Sequence, residues 1–225
     1  MTSLLQFYRT SVGKKIVMSL SGLFLCLFLV VHVGGNLLLF RNDGGELFNA
    51  YSEFMGSNPI IRTIEIVLFL ALLAHAISGT IVWLHNRSAR PSGYEAYRLQ
   101  DNVKFESRTP MLTTGAIVVF FFLIIHLNTF WIPERFPVGH HMLPYDHVVE
   151  RFSNPLYSGF YLFALIFVAY HLKHGFQSAF QTLGLRYKQY IRLLEIVAAL
   201  FWLIIPLTFA AMPIYFLLLR YNCIG

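Results

Sequence analysis

Long apolar stretches, a scarcity of charge and a one-sided distribution of the basic residues predict an all-α membrane protein, a bundle of five transmembrane helices. Only 12% of the 225 residues are charged, 56% are hydrophobic and the mean hydropathy is +0.60, which argues against an ordinary water-soluble domain. Residues 16–40, 66–84, 109–133, 152–172 and 196–219 contain no Asp, Glu, Lys or Arg. Each run meets or approaches the ~20 residues that span a hydrocarbon core as a helix. Lipid cannot satisfy backbone N–H and C=O groups, so such runs are expected as helices, over about 16–40, 60–85, 110–132, 156–181 and 191–219 of a single domain, 1–225.

The first run follows Arg9, Lys14 and Lys15 as the core of a signal peptide would, but it is too long and no small-residue cleavage site follows, so it is read as helix one. Asn58-Pro59, Thr109-Pro110 and Asn154-Pro155 open helices two, three and four, with proline near the first helical position, where its missing N–H costs nothing. Trp131 and Tyr157 fall where interfacial aromatics are expected. Pro206 and Pro213 lie within helix five and predict a kink there, with the freed carbonyls satisfied by neighbours or water. The connection 134–151 is long enough to fold over one face of the bundle.

Charge orients the bundle. The N-terminal arm and the second and fourth connections carry twelve basic residues: Arg9, Lys14, Lys15, Arg87, Arg90, Arg98, Lys104, Arg108, Lys173, Arg186, Lys188 and Arg192. The opposite face has Arg41, Arg62, Arg135, Arg151 and Arg220, with seven of the eleven acids. The positive-inside rule therefore places the N-terminus on the cytoplasmic side and the C-terminus outside. The net charge of +6 is confined to short juxtamembrane segments, where topology and anionic lipid account for it, so no nucleic-acid partner is expected. Cys26 and Cys223 form neither a CxxC pair nor a CxxCH attachment signature, so any haem would be held noncovalently.

Four of the nine histidines fall well inside separate spans: His32, His75, His126 and His171 on helices one to four. One intramembrane histidine is commonly a helix-to-helix hydrogen-bonding residue. Four on four helices, at matched depths, suggest ligands. His32 lies nine residues before Arg41 and His126 eight before Glu134, which puts both roughly 12 to 14 Å inside the outer boundary. His75 and His171 each lie sixteen residues after an opening proline, Pro59 or Pro155, and so about 24 Å from that boundary.

Two histidines at equal depth on different helices can ligate one haem iron from both sides, and two levels suggest two haems stacked through the membrane. Gly34, Gly35, Gly79 and Gly175, close to these ligands, offer side-chain-free surface for a flat macrocycle or, alternatively, close helix contact. His174, three residues after His171 on the same face, is an alternative inner ligand or a partner for a haem propionate. His85 falls near the inner interface. His140, His141 and His147 are expected to be solvated in the outer loop.

The segments SGLFLCLFLVVHVGGNL (21–37), AHAISG (74–79), IHLN (125–128) and AYHLKHGFQSAFQTLG (169–184) together resemble the dihaem cytochrome b anchor of succinate:quinone oxidoreductases, of the b558 type. The resemblance extends over essentially all five helices and is specific in combination, weak in any one motif. It implies two haem b groups, the outer on His32 and His126 and the inner on His75 and His171. It also implies that the chain anchors a flavoprotein subunit and an iron–sulfur subunit on the inner face of a bacterial-type cytoplasmic membrane, the dicarboxylate chemistry residing in the flavoprotein. Electrons would pass from the iron–sulfur subunit to the inner haem, the outer haem and a quinone, menaquinone in most dihaem relatives.

No quinone motif is legible. Glu65 and Glu53, near the outer boundary, are candidate quinone-linked proton carriers, or else interfacial carboxylates paired with Arg62 or water. The rival readings are the cytochrome b anchor of a hydrogenase or formate dehydrogenase, and a transporter that uses its histidines for protons or metal. The latter lacks support from repeated halves or midplane helix breaks.

Overall fold

The structure, a computed structural model, describes residues 3–88, 109–137 and 142–221. Arg90, Arg98, Lys104, Arg108, His140, His141 and Cys223 lie outside the described residues. Among those described there is no strand, and five helices are long and apolar enough to cross a membrane: Ser11–Phe40, Pro59–Ser88, Gly115–Arg135, Pro155–Thr182 and Ile191–Arg220. The chain is an integral membrane protein. At 1.5 Å per residue, helices of 28 to 30 residues exceed a ~30 Å hydrocarbon core, so their ends reach the headgroups.

Helix one starts at Ser11 rather than near residue 16, because the Thr10 hydroxyl accepts the Gly13 N–H at 2.9 Å and caps the earlier turn. A short helix, Leu4–Arg9, precedes it, capped by a reciprocal Ser3–Gln6 box, and Tyr8 of that helix is hydrogen-bonded to the fully buried Ser78 at 3.1 Å. Helices two and four open as their sequences predict. The Asn58 side chain accepts the Ile60 N–H at 3.0 Å, and that of Asn154 accepts the Leu156 N–H at 3.0 Å.

Helix four is central, packing against helices one, three and five, while helix one also packs along helix two. Fully buried Ser78, Ser158 and Ala164 let the backbones approach. Leu27, Val31, Ile66, Leu70, Leu73 and Phe121 stay exposed, which in lipid costs nothing.

Helices three and five each contain a π-turn, Leu127–Trp131 and Leu200–Ile204, in which Ile132 N–H reaches the Leu127 carbonyl and Ile205 N–H the Leu200 carbonyl. Each turn ends two residues before a proline, Pro133 or Pro206. The wider turn carries the carbonyl of the preceding turn away from the pyrrolidine ring, so helix five passes Pro206 without breaking. The two outer connections form helices Glu46–Ser57 and Pro144–Phe152, which pack on one another and cap the outer end. Phe48, Val148 and Phe152 from the caps meet Leu39, Tyr161, Met212 and Phe216 in one buried cluster. His147, expected to be solvated, is instead buried at 8% exposure, because its helix turns that face toward the bundle.

Candidate functional site

Helices one to four bring the four intramembrane histidines together in two pairs. His32 faces His126 with ring centroids 5.8 Å apart, and His75 faces His171 at 5.9 Å, the ring planes nearly perpendicular at 86° in both. These are the partners expected from depth. Each helix contributes one histidine turned toward its partner at a shared level, and sequence spacing alone leaves that rotation undetermined.

Local contacts orient the rings. In the inner pair the His75 Nδ1–H donates to the Met18 carbonyl at 3.0 Å, which leaves Nε2 as the nitrogen that carries the free lone pair. Gly22 lies so close to this ring that a Cβ there would sit 3.0 Å from His75 Cε1. In the outer pair the Asn36 amide donates to the His32 carbonyl at 2.8 Å and lies 3.5 Å from its Nδ1, while His126 Nδ1 is hydrogen-bonded to the buried Tyr161 hydroxyl. Phe28 stacks on His32 at 5.2 Å, Phe209 leans on it at 5.4 Å, and Phe122 stacks on His126 at 5.9 Å. Asn36 is one turn beyond His32 and could be read from that spacing. Met18, Gly22 and Tyr161 leave no sequence signal, since they meet the histidines only across helix contacts.

The pair geometry can be tested against a haem. A metal–imidazole bond of ~2 Å on each face, plus half of each ring, separates the centroids of two axial imidazoles by about 6 Å. Both observed separations fit. The glycines fit in part: a Cβ on Gly34 or Gly175 would meet nothing within 4 Å, and one on Gly79 only the Met18 sulfur at 3.6 Å, so open space flanks both levels. Gly35 instead packs under the Tyr51 ring, the close-contact alternative. Among the described residues no three His, Cys, Asp or Glu side chains converge, so the histidines stand as pairs. His171 is the residue of helix four that faces His75, and His174 is exposed one turn further on.

Glu65 lies at the outer end of helix two inside a cluster of donors. Its carboxylate accepts from Arg62 Nη1 at 2.7 Å, from Arg135 Nε at 3.1 Å and Nη2 at 2.9 Å, and from the Trp131 indole N–H. The pairing with Arg62 that the sequence offered as an alternative is present, with Arg135 and Trp131 added. Arg62, Glu65 and Trp131, with Ile66, Phe69 and Leu70, line a groove of about 510 Å³. Glu53 is exposed on the helix Glu46–Ser57.

No family model matches the chain, and no solved structure matches it. It is similar to the succinate dehydrogenase cytochrome b558 subunit of Bacillus subtilis (strain 168), with 27% identity over 180 residues, 76% of this chain and 83% of that protein.

Proposed function

We propose that this chain is the dihaem cytochrome b membrane anchor of a succinate dehydrogenase or fumarate reductase complex, passing electrons between an iron–sulfur subunit and a quinone of the menaquinone class. One observation carries the reading: two facing histidine pairs drawn from four helices, with centroid separations of 5.8 and 5.9 Å. The likeness to the Bacillus subtilis subunit supports the choice of complex.

Haem b supplies a reversible one-electron couple when bound at such a pair. The rest falls to the protein's own groups. His32 and His126 would hold the outer haem, and His75 and His171 the inner one. Met18, Asn36 and Tyr161 fix the rings, and Phe28, Phe122 and Phe209 keep water from the outer pair. His174, exposed one turn beyond His171, would be the partner of a haem propionate.

The groove at Glu65 suits a quinone, since its guanidinium and indole N–H groups lie beside an apolar wall whose Ile66 and Leu70 are open to lipid and to an isoprenoid tail. Glu65 in the groove and the exposed Glu53 are the acids that would exchange quinone-linked protons with the outer aqueous phase. In the positive-inside orientation the N-terminus lies in the cytoplasm and the C-terminus outside a bacterial-type membrane, and the basic inner face docks the flavoprotein and iron–sulfur subunits.

Pyridine haemochrome analysis of the purified protein tests the reading directly. It should give two b-type haems per chain, extractable by acid-acetone. Absence of haem, or haem that resists extraction, refutes it. Binding of flavoprotein and iron–sulfur subunits of the succinate dehydrogenase kind separates this complex from a hydrogenase or formate dehydrogenase.

A further inference from the structure

We infer that Glu65 is a positioning residue for the outer histidine pair, fixing through Trp131 and Arg135 the π-turn that follows His126. The inference rests on the haem-binding reading given above.

His126 is the last residue of the regular part of helix three, and the π-turn Leu127–Trp131 begins directly after it. A π-turn widens the helix and is held by contacts from outside it. On one side, Phe130 packs against Phe152 at 5.8 Å, against Tyr157 and Tyr161, and against His126 itself at 5.5 Å. On the other side stands helix two. The Trp131 ring meets Phe69 edge-on at 4.8 Å, its indole N–H donates to Glu65, and Arg135, one turn on, grips both oxygens of the same carboxylate.

The side chains of Glu65 and Arg135 are only 14% and 18% exposed, so the two-point grip is largely shielded from water and directional. Arg62, 46% exposed, completes the set of partners. Among the described residues the four hydrogen bonds of Glu65 go to Arg62, Trp131 and Arg135, and its influence on His126 runs through the turn.

Truncating Glu65 releases the helix-two side of the turn and leaves Trp131 and Arg135 without their acceptor, while the Phe130 side still holds the fold. The turn then relaxes, and the His126 ring rotates relative to His32. The inner pair, on other turns of helices two and four, is unaffected.

The test compares low-spin haem EPR spectra and redox titrations of the purified full chain with those of E65A, E65Q and W131F. H126A identifies which low-spin signal belongs to the outer pair. E65A should shift the g-values and midpoint of that signal alone, and W131F should shift the same signal although it removes no charge. E65Q should restore most of the parent behaviour, because its amide oxygen still accepts from Trp131. The inference is overturned if E65A leaves the outer signal unchanged, if both signals move equally, or if E65A acts while W131F is silent, which would assign the effect to charge. A parent protein without haem instead overturns the functional reading beneath it, so the two failures are distinguishable.

Discussion

Each histidine pair depends on neighbours that are not ligand types. The Met18 carbonyl holds the His75 ring, Gly22 leaves room for it, and Tyr161 meets His126 from helix four. Under the proposed ligation, replacing one histidine of a pair removes half of the axial coordination. His32→Ala or His126→Ala should then abolish one low-spin signal, and His75→Ala or His171→Ala the other, each variant keeping the haem at the second level. His174→Ala should keep both signals, as its ring does not face His75. Loss of a signal in His174→Ala with both retained in His171→Ala would reverse the assignment on helix four.

The π-turns and the outer cap bear on the stability of whole helices. Each π-turn lets an apolar helix carry a proline without opening its backbone to lipid, where an unsatisfied group would cost several kcal/mol. The cap helix Pro144–Phe152 contributes Val148 and Phe152 to the outer core, and Arg151 Nε donates to the buried His147 at 3.4 Å. Burial, and then the Arg151 guanidinium, hold the His147 imidazole below its usual value of 6.5, Glu150 pulling the other way.

An undocked cap binds that proton more readily than the docked one. Docking is therefore at full strength above the usual value and weakens as pH falls from there toward the lowered one. Protease cleavage within 144–152 should thus accelerate below about pH 6.5 in the parent, and H147L should flatten that dependence. An identical pH profile in both would show that His147 does not set it.

Across the bilayer, the two pairs sit at different depths, with the basic segments at one end and the Glu65 groove at the other. If electrons enter at the basic end and reach quinone near Glu65, each crosses much of the membrane. A full crossing is worth ~2.3 kcal/mol per 100 mV, so a partial one still changes the driving force. Succinate-to-quinone turnover of the assembled complex in sealed vesicles should therefore change when a protonophore collapses the potential. Equal rates in vesicles shown to hold a potential would mean quinone chemistry on the inner side or a compensating proton path, and uncompensated charge movement would be abandoned.

The five spans, their opening prolines and the two histidine depths are legible in the residues because lipid imposes one rule on the whole chain: every spanning backbone must be an apolar helix of fixed rise. Depth follows from counting, and so the expected partners His32 with His126 and His75 with His171 follow as well. Rotation and neighbourhood do not. Whether His171 or His174 turns toward His75 depends on how helix four packs among three others. The burial of His147 depends on a cap helix docking onto the bundle. The convergence of Trp131 and Arg135 on Glu65 joins residues up to 70 positions apart. These contacts were decided by the packing of helices against one another, which carries no period or spacing that a linear sequence displays.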